Sequence, residues 1–300
     1  MARSTRVCVM VEPAAPAVPA PRRNVARAWR QLRRNRAALA GLIVLGVLVF
    51  AAAFAPVLAP FDPYGVGLEG RLHAPGGEHV LGTDELGRDI LSRMLFGARV
   101  TLWVGVVTVL LAALIGVSGG VLAGYLGGLW DAVIMRLVDV FLAFPVIILA
   151  IAIVAVRGPG LNNVLIALAL VYWTSYARVA RSVVLTLREE EYTWAARTLG
   201  ASPLRIMVRH LLPNAVAPLV VLASLGMGNA ILAEAALSFL GLGIQPPEAS
   251  WGSMLNVGMQ FLRDASFLST MPGLAIFVTV LGFNLLGDGL RDALDPRMRL

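Results

Sequence analysis

Six windows of roughly 20 apolar residues recur along this chain, and no other feature constrains its fold as strongly. They fall at 37–58, 100–124, 133–156, 161–179, 215–240 and 271–290. Each is long enough to cross a hydrocarbon core of about 30 Å as a helix. Leu, Val, Ile and Ala dominate them, and the branched residues among these favour insertion at a helix centre. Only 14% of the residues are charged and 58% are hydrophobic. An ordinary soluble domain carries about 25% charged residues, so this chain cannot clothe a water-facing surface. The expected fold is an all-α integral membrane protein with six transmembrane helices.

The charges between the windows orient the chain. Every basic residue is an arginine, 25 in all. With the N-terminus inside, 19 of the 25 fall on the inner side and six on the outer side. An excess of basic residues marks the cytoplasmic side, which predicts an N-in, C-in topology. Residues 1–21 include the stretch VEPAAPAVPAP, which has little to bury and reads as a disordered tail. The segment 22–36, RRNVARAWRQLRRNR, holds seven arginines among fifteen residues. It reads either as a basic helix lying on the inner leaflet or as a solvated run that only sets topology. The apolar run 37–58 exceeds the 7–15 residues of a secretory signal, and five more spans follow it. A six-span body is therefore expected over 37–300.

Absent residue types exclude several chemistries. A phosphate-binding P-loop needs its lysine, and this chain has no lysine at all, so any nucleotide chemistry must reside on another chain. One cysteine, Cys8, excludes an intrachain disulfide or a multi-cysteine metal site. An intramembrane hydrolase needs a nucleophile with a base, or a liganded metal, at membrane depth. All three histidines, His73, His79 and His210, lie outside the windows, and neither H-E-x-x-H nor G-x-S-x-G occurs. Nothing resembles the selectivity filter of a passive channel.

One charged, turn-punctuated block interrupts the apolar pattern on the inner side, EEYTWAARTLGASPLRIMVRHLLP, at 190–213. Glu189, Glu190 and Glu191 suit a helix N-terminus and Arg197 its C-terminal end. Gly200 can take the left-handed conformation that stops a helix. Ser202 and Pro203 then restart one, as N-cap and first helical residue. Pro213 marks the end of the amphipathic run. The pattern predicts two short helices joined by a sharp turn, with Ala195 and Ala196 as a low face that another protein could approach. A short helix fastened at both ends to spans would act as a lever. The alternative is a solvated connector. A DNA-reading helix-turn-helix is hard to reconcile with a tether to two spans, and no nucleic-acid partner is expected.

This block resembles the cytoplasmic signature of permease subunits of ATP-binding-cassette importers, Glu-Ala-Ala-x3-Gly-x9-Ile-x-Leu-Pro. Ala195, Ala196, Gly200, Leu212 and Pro213 match it, whereas Trp194 stands at the glutamate position and His210 at the isoleucine. HVLGTDELGRDILSRMLFGARVTL (79–102), LAEAALSFLGLGIQPPEASWGSML (232–255) and GDGLRDALDPRMR (287–299) are similar to the second permease of dipeptide and oligopeptide importers, and nickel importers share these features. The similarity runs from about residue 27 to the end. It implies a type I importer permease of the bacterial inner membrane, with the segment 189–213 coupling it to an ATPase through Trp194, Ala195, Ala196, Gly200, Ala201, Ser202, Pro203, Leu212 and Pro213. It further implies a homologous second permease, two ATPase subunits holding ATP and magnesium, and an external solute-binding lipoprotein. No cofactor is expected on this chain.

Other polar residues carry weaker expectations. Asp84, Arg88 and Asp89 in the first outer loop are candidates for docking the binding protein, by resemblance. With His79 and Glu85 they could also suggest a metal site, but no strict spacing supports one. Asp89 reads as the cap of a helix beginning at Ile90. Polar groups at membrane depth are costly, so Asn229, Glu234 and Asn284 are expected on a translocation path or at the interface with the partner permease. Asp288 is expected to have a structural role. Arg136 and Asp139 suit a local i, i+3 pair, Pro145 a helix kink, and Trp251 a belt position at the membrane interface.

Overall fold

The computed structural model describes residues 30–294. The expectations for 1–21, for 22–29 and for 295–300 lie outside these residues. Nine helices of eight or more residues organise the described chain. They are α1 (Arg36–Ala53), α2 (Ile90–Leu126), α3 (Gly128–Leu142), α4 (Val146–Arg157), α5 (Leu161–Leu187), α6 (Glu191–Thr198), α7 (Pro203–Phe239), α8 (Trp251–Met259) and α9 (Phe267–Leu294). Among the described residues there is no strand, only two isolated bridges inside the 67–89 loop. Five helices, α1, α2, α5, α7 and α9, are long and apolar enough to span a membrane, and the bent pair α3–α4 makes a sixth if counted as one.

Lipid tails are as apolar as leucine, so packing between membrane helices depends on close main-chain approach at small residues. Two seams show it. Gly116, Gly120 and Gly124 put α2 against α5, where an added Cβ would meet main-chain or side-chain atoms at 2.2, 2.3 and 3.0 Å. Gly41 of α1 faces the Gly282 carbonyl of α9 at 2.7 Å from such a Cβ, and Gly289 faces Ala38 at 2.2 Å. Leu32, in the helical stretch 30–34, is buried beside Gly289. That part of the basic segment therefore packs on α9 rather than standing free as a solvated run. Outward faces stay apolar, as a lipid-facing surface should: Val57, Leu114, Leu129 and Val156 are all strongly exposed.

Four expectations need correction. The third span is not a kinked helix but two helices bent by 90°. Pro145 has no N–H to continue the ladder and disfavours a helical Phe144 before it, and its own ψ of 132° is extended. Asp139 does not pair with Arg136; it reaches Arg178 of α5 at 3.1 Å. Trp251 is no belt residue. It is 1% exposed, and its indole Nε1 donates to the Met94 carbonyl at 3.0 Å, because α8 folds back onto α2 instead of resting at the surface. The fourth correction concerns Pro213, which ends nothing. It sits in the first turn of the Leu212–Phe239 part of α7. A π-turn at Met207–Leu211, with Leu212 N–H bonded to the Met207 carbonyl, precedes it. The wider turn gives room to a proline ring that would otherwise collide with the carbonyl four residues back.

Candidate functional site

The segment between α5 and α7 is built by local rules. Arg188 ends α5 and donates from Nη1 to the Gly124 carbonyl of α2 at 3.0 Å. Thr193 is fully buried and donates to the Leu187 carbonyl at 2.8 Å, fastening α6 to the end of α5. Glu191 lies in the first turn of α6 and Arg197 in the last, matching the helix dipole. Gly200 then takes φ +79°. Its N–H bonds the Arg197 carbonyl at 2.9 Å, and Ala201 N–H bonds the Ala196 carbonyl at 3.0 Å. That reciprocal pattern is the Schellman stop. Ser202 caps the next helix, its Oγ accepting from Arg205 N–H at 3.4 Å, with Pro203 in the first turn.

Only half of the expected lever has the predicted form. α6 is a short separate helix, but the helix that begins at Pro203 runs on without a stop to Phe239. The two alanines also divide: Ala195 faces outward, whereas Ala196 is buried among Tyr125, Ala201, Ile206 and Leu211. Leu212 also faces inward, while Trp194, Gly200, Ser202, Pro203 and Pro213 are exposed. Trp194 is 52% exposed, Leu199 87% and Leu204 67%. Trp194 and Leu199, on α6 and its stop, form an apolar knob off the end of the spans. Arg197 is stacked between two rings, 5.1 Å from the Tyr125 centroid and 5.3 Å from that of Trp194. Spacing within the segment gives no sign of this stack, since Tyr125 comes from α2. Burial pushes the Tyr192 phenol above its usual range.

The intramembrane polar residues separate. Asn229 of α7 and Asn284 of α9 are exposed, and Asn284 Oδ1 lies 3.6 Å from where a Cβ on Gly228 would be. Tyr172 donates its hydroxyl to the Asn229 carbonyl at 3.2 Å. Glu234 is a correction: it is fully buried within this chain and lines no open surface. Its Oε1 accepts from Ser238 Oγ at 2.7 Å, and that oxygen in turn accepts from Ile244 N–H at 3.3 Å. The carboxyl thus braces the turn that returns the chain to α8. Asp288 is exposed near the far end of α9.

In the 59–89 loop, Asp84, Arg88 and Asp89 are all buried. Asp84 accepts from the main-chain N–H groups of Leu86 and Arg88, both at 2.9 Å, and from Arg88 Nε at 2.7 Å. Arg93 approaches the same carboxylate at 3.3 Å and donates to the Pro63 carbonyl. Asp89 caps α2 through Ser92 N–H at 2.8 Å and meets His79 Nδ1 at 2.9 Å. These side chains build the loop; they do not project from it. Helix α2 begins at Ile90 as expected and runs on to Leu126. Among the described residues no group of three His, Cys, Asp or Glu side chains converges on a cation position.

Comparison with known proteins accords with this geometry. The family described as "Binding-protein-dependent transport system inner membrane component" matches residues 116–300, and the "N-terminal TM domain of oligopeptide transport permease C" matches 25–75. A dipeptide transport system permease protein of Alkalihalophilus pseudofirmus is 47% identical, covering 91% of this chain and 90% of that protein. A di/tripeptide transport system permease protein of Pseudomonas aeruginosa is 45% identical, covering 90% and 91%. A glutathione transport system permease protein of Escherichia coli is also 45% identical, covering 90% of each. Among solved structures, an inward-facing MetNI methionine ABC transporter shares the fold, with a TM-score of 0.55 at 20% identity over 68% of this chain and 96% of that one.

Proposed function

Because the chain belongs to the family of binding-protein-dependent transport system inner membrane components, we propose that it is one permease of an ATP-driven importer of di- and oligopeptides. The apolar knob of Trp194 and Leu199 carries the reading. It stands outside the spans, on α6 and the turn that stops it, where a soluble partner can cover it. We assign that partner as an ATPase that holds ATP and magnesium, with two such subunits per transporter. The knob and both termini then lie on the cytoplasmic side of a bacterial inner membrane, as the arginine distribution supports.

A second, homologous permease completes the path. Asn229 and Asn284 face it or the path itself, offering amide groups to a peptide main chain that has left water. An external binding protein, anchored by lipid, delivers peptide to the opposite face. There the loop that Asp84, Arg88 and Asp89 stiffen supplies the docking surface, although those side chains are buried. ATP binding closes the ATPases, the motion reaches α5 and α7 through α6, and the path turns outward; hydrolysis resets it. This chain performs no bond chemistry.

The test is purification of the tagged chain from its native membrane in mild detergent, followed by mass spectrometry and reconstitution. Recovery of P-loop ATPases, with ATP-dependent uptake of labelled dipeptide into vesicles, is the expected result. Recovery of the chain without an ATPase across several detergents would sink the proposal.

A further inference from the structure

A cleft of about 510 Å³ opens between α2 and the first turns of α7. Leu114, Ser118 and Leu122 form one wall, and Leu204, Val208 and Leu212 the other. Ser118 is the one polar side chain in the lining. Its hydroxyl already donates within its own helix, with the Leu114 and Ile115 carbonyls at 2.6 and 3.0 Å. The cleft therefore offers a peptide main chain at most one acceptor, the Ser118 oxygen, and its other polar groups would be buried without partners. Its occupant is apolar.

Size and depth select among apolar occupants. The α2 wall runs from Ala113 to Leu122, a rise of about 14 Å at 1.5 Å per residue. That is close to half of a hydrocarbon core of about 30 Å, the depth of one leaflet. A helix from another subunit is about 10 Å wide with its side chains. A single flexible hydrocarbon chain needs less width.

Charge identifies the head group. Arg205 and Arg209 follow Leu204 and Val208 on the same two turns of α7, and both are exposed. Neither forms an ion pair among the described residues. After them α7 carries no acidic residue before Glu234. The π-turn at Met207–Leu211 follows Arg205, contains Arg209 and widens the helix beside the cleft residues Met207 and Val208. We propose that the cleft seats one acyl chain of an anionic phospholipid from the leaflet on the α6 side, with its phosphate held by Arg205 and Arg209.

The test uses the full chain, with any partners it retains, in vesicles of equal phosphatidylglycerol and phosphatidylcholine. One lipid or the other carries a photoactivatable acyl chain, and labelled peptides are mapped. Phosphatidylglycerol should label 113–122 and 204–212 roughly thirtyfold more than phosphatidylcholine, the preference that two arginines confer at a membrane surface. Arg205→Gln with Arg209→Gln should bring that ratio close to one. Val208→Trp, which fills the cleft, should remove the label there while leaving that on the exposed face of α1 unchanged. The double arginine variant alters only exposed side chains, so it decides the matter even if Val208→Trp fails to fold. Equal labelling by the two lipids, or an unchanged ratio after loss of both arginines, overturns the proposal. So does efficient cross-linking of Ser118→Cys to a second permease, which would make the cleft a seam between subunits.

Discussion

Gly116 of α2 lies directly against the main chain of α5 at Trp173, so that a Cβ on Gly116 would stand 2.2 Å from the Trp173 carbonyl oxygen. A main-chain oxygen cannot rotate away, so any side chain there must push the helices apart. Gly116→Val should cost about 1–3 kcal/mol, as overpacking does, and lower both folded yield and Tm in detergent. Gly119→Val is the control. Its nearest neighbours lie at 3.7 and 3.9 Å, and it should leave Tm within a degree or two of the parent on the scale that ΔΔG maps to melting shifts.

Asp131 of α3 and Arg181 of α5 form a two-pronged ion pair, with one arm at 2.6 Å. It ties one half of the broken span to the bundle. The pair is partly exposed, so its worth is about 1 kcal/mol. Asp131→Arg should lower Tm, and Asp131→Arg combined with Arg181→Asp should recover most of the loss. If the double variant is as unstable as the sum of the single changes, the pair contributes nothing to the junction.

Gly200 has open space where a Cβ would go, but its φ is +79°. The penalty for another residue is therefore conformational, about 1–2 kcal/mol, and concentrated in the turn after α6. Gly200→Val should insert and assemble normally yet hydrolyse ATP with little transport. Gly200→Asn, which tolerates the left-handed region, should retain most uptake. Normal uptake by the valine variant would show that the turn geometry does not matter for coupling.

Trp194 both exposes an apolar ring and shares Arg197 with Tyr125. Trp194→Ala should leave the Arg197 guanidinium on Tyr125 alone, at a cost of about 0.5–1 kcal/mol, and reduce retention of the ATPase during purification. Trp194→Phe should retain more than alanine does. Undiminished ATPase retention in the alanine variant would remove Trp194 from the docking surface.

What could be read from the sequence follows the range of the forces involved. Span positions came through because twenty apolar residues in a row have few other uses, and the stop at Gly200 because the glycine and serine signals there are local. Residues whose environment is set across the bundle did not come through. Trp251 and Glu234 are interior because α8 folds back onto α2 and α7, which no local spacing encodes. Asp139 found Arg178 and not its neighbour Arg136 because the break at Pro145 lays α3 along α5. Ala196 turned inward once Thr193 anchored α6. The acids of the 59–89 loop look available in sequence, yet main-chain donors in that loop and in the first turn of α2 occupy them.

Helix α7 spans both faces of the molecule in one piece, and it crosses α9 closely where Leu225 meets Gly287 and Gly228 meets Val280. From that crossing, about 34 Å of helix extends to Pro203 and about 20 Å to Phe239 at 1.5 Å per residue. The crossing is thus a fulcrum set off-centre. A tilt imposed at the Pro203 end, if it passes the π-turn at Met207–Leu211 and Pro218 without bending the helix, emerges at the opposite face reversed in direction and a little over half as large. The two faces would then open and close in opposition through a single helix.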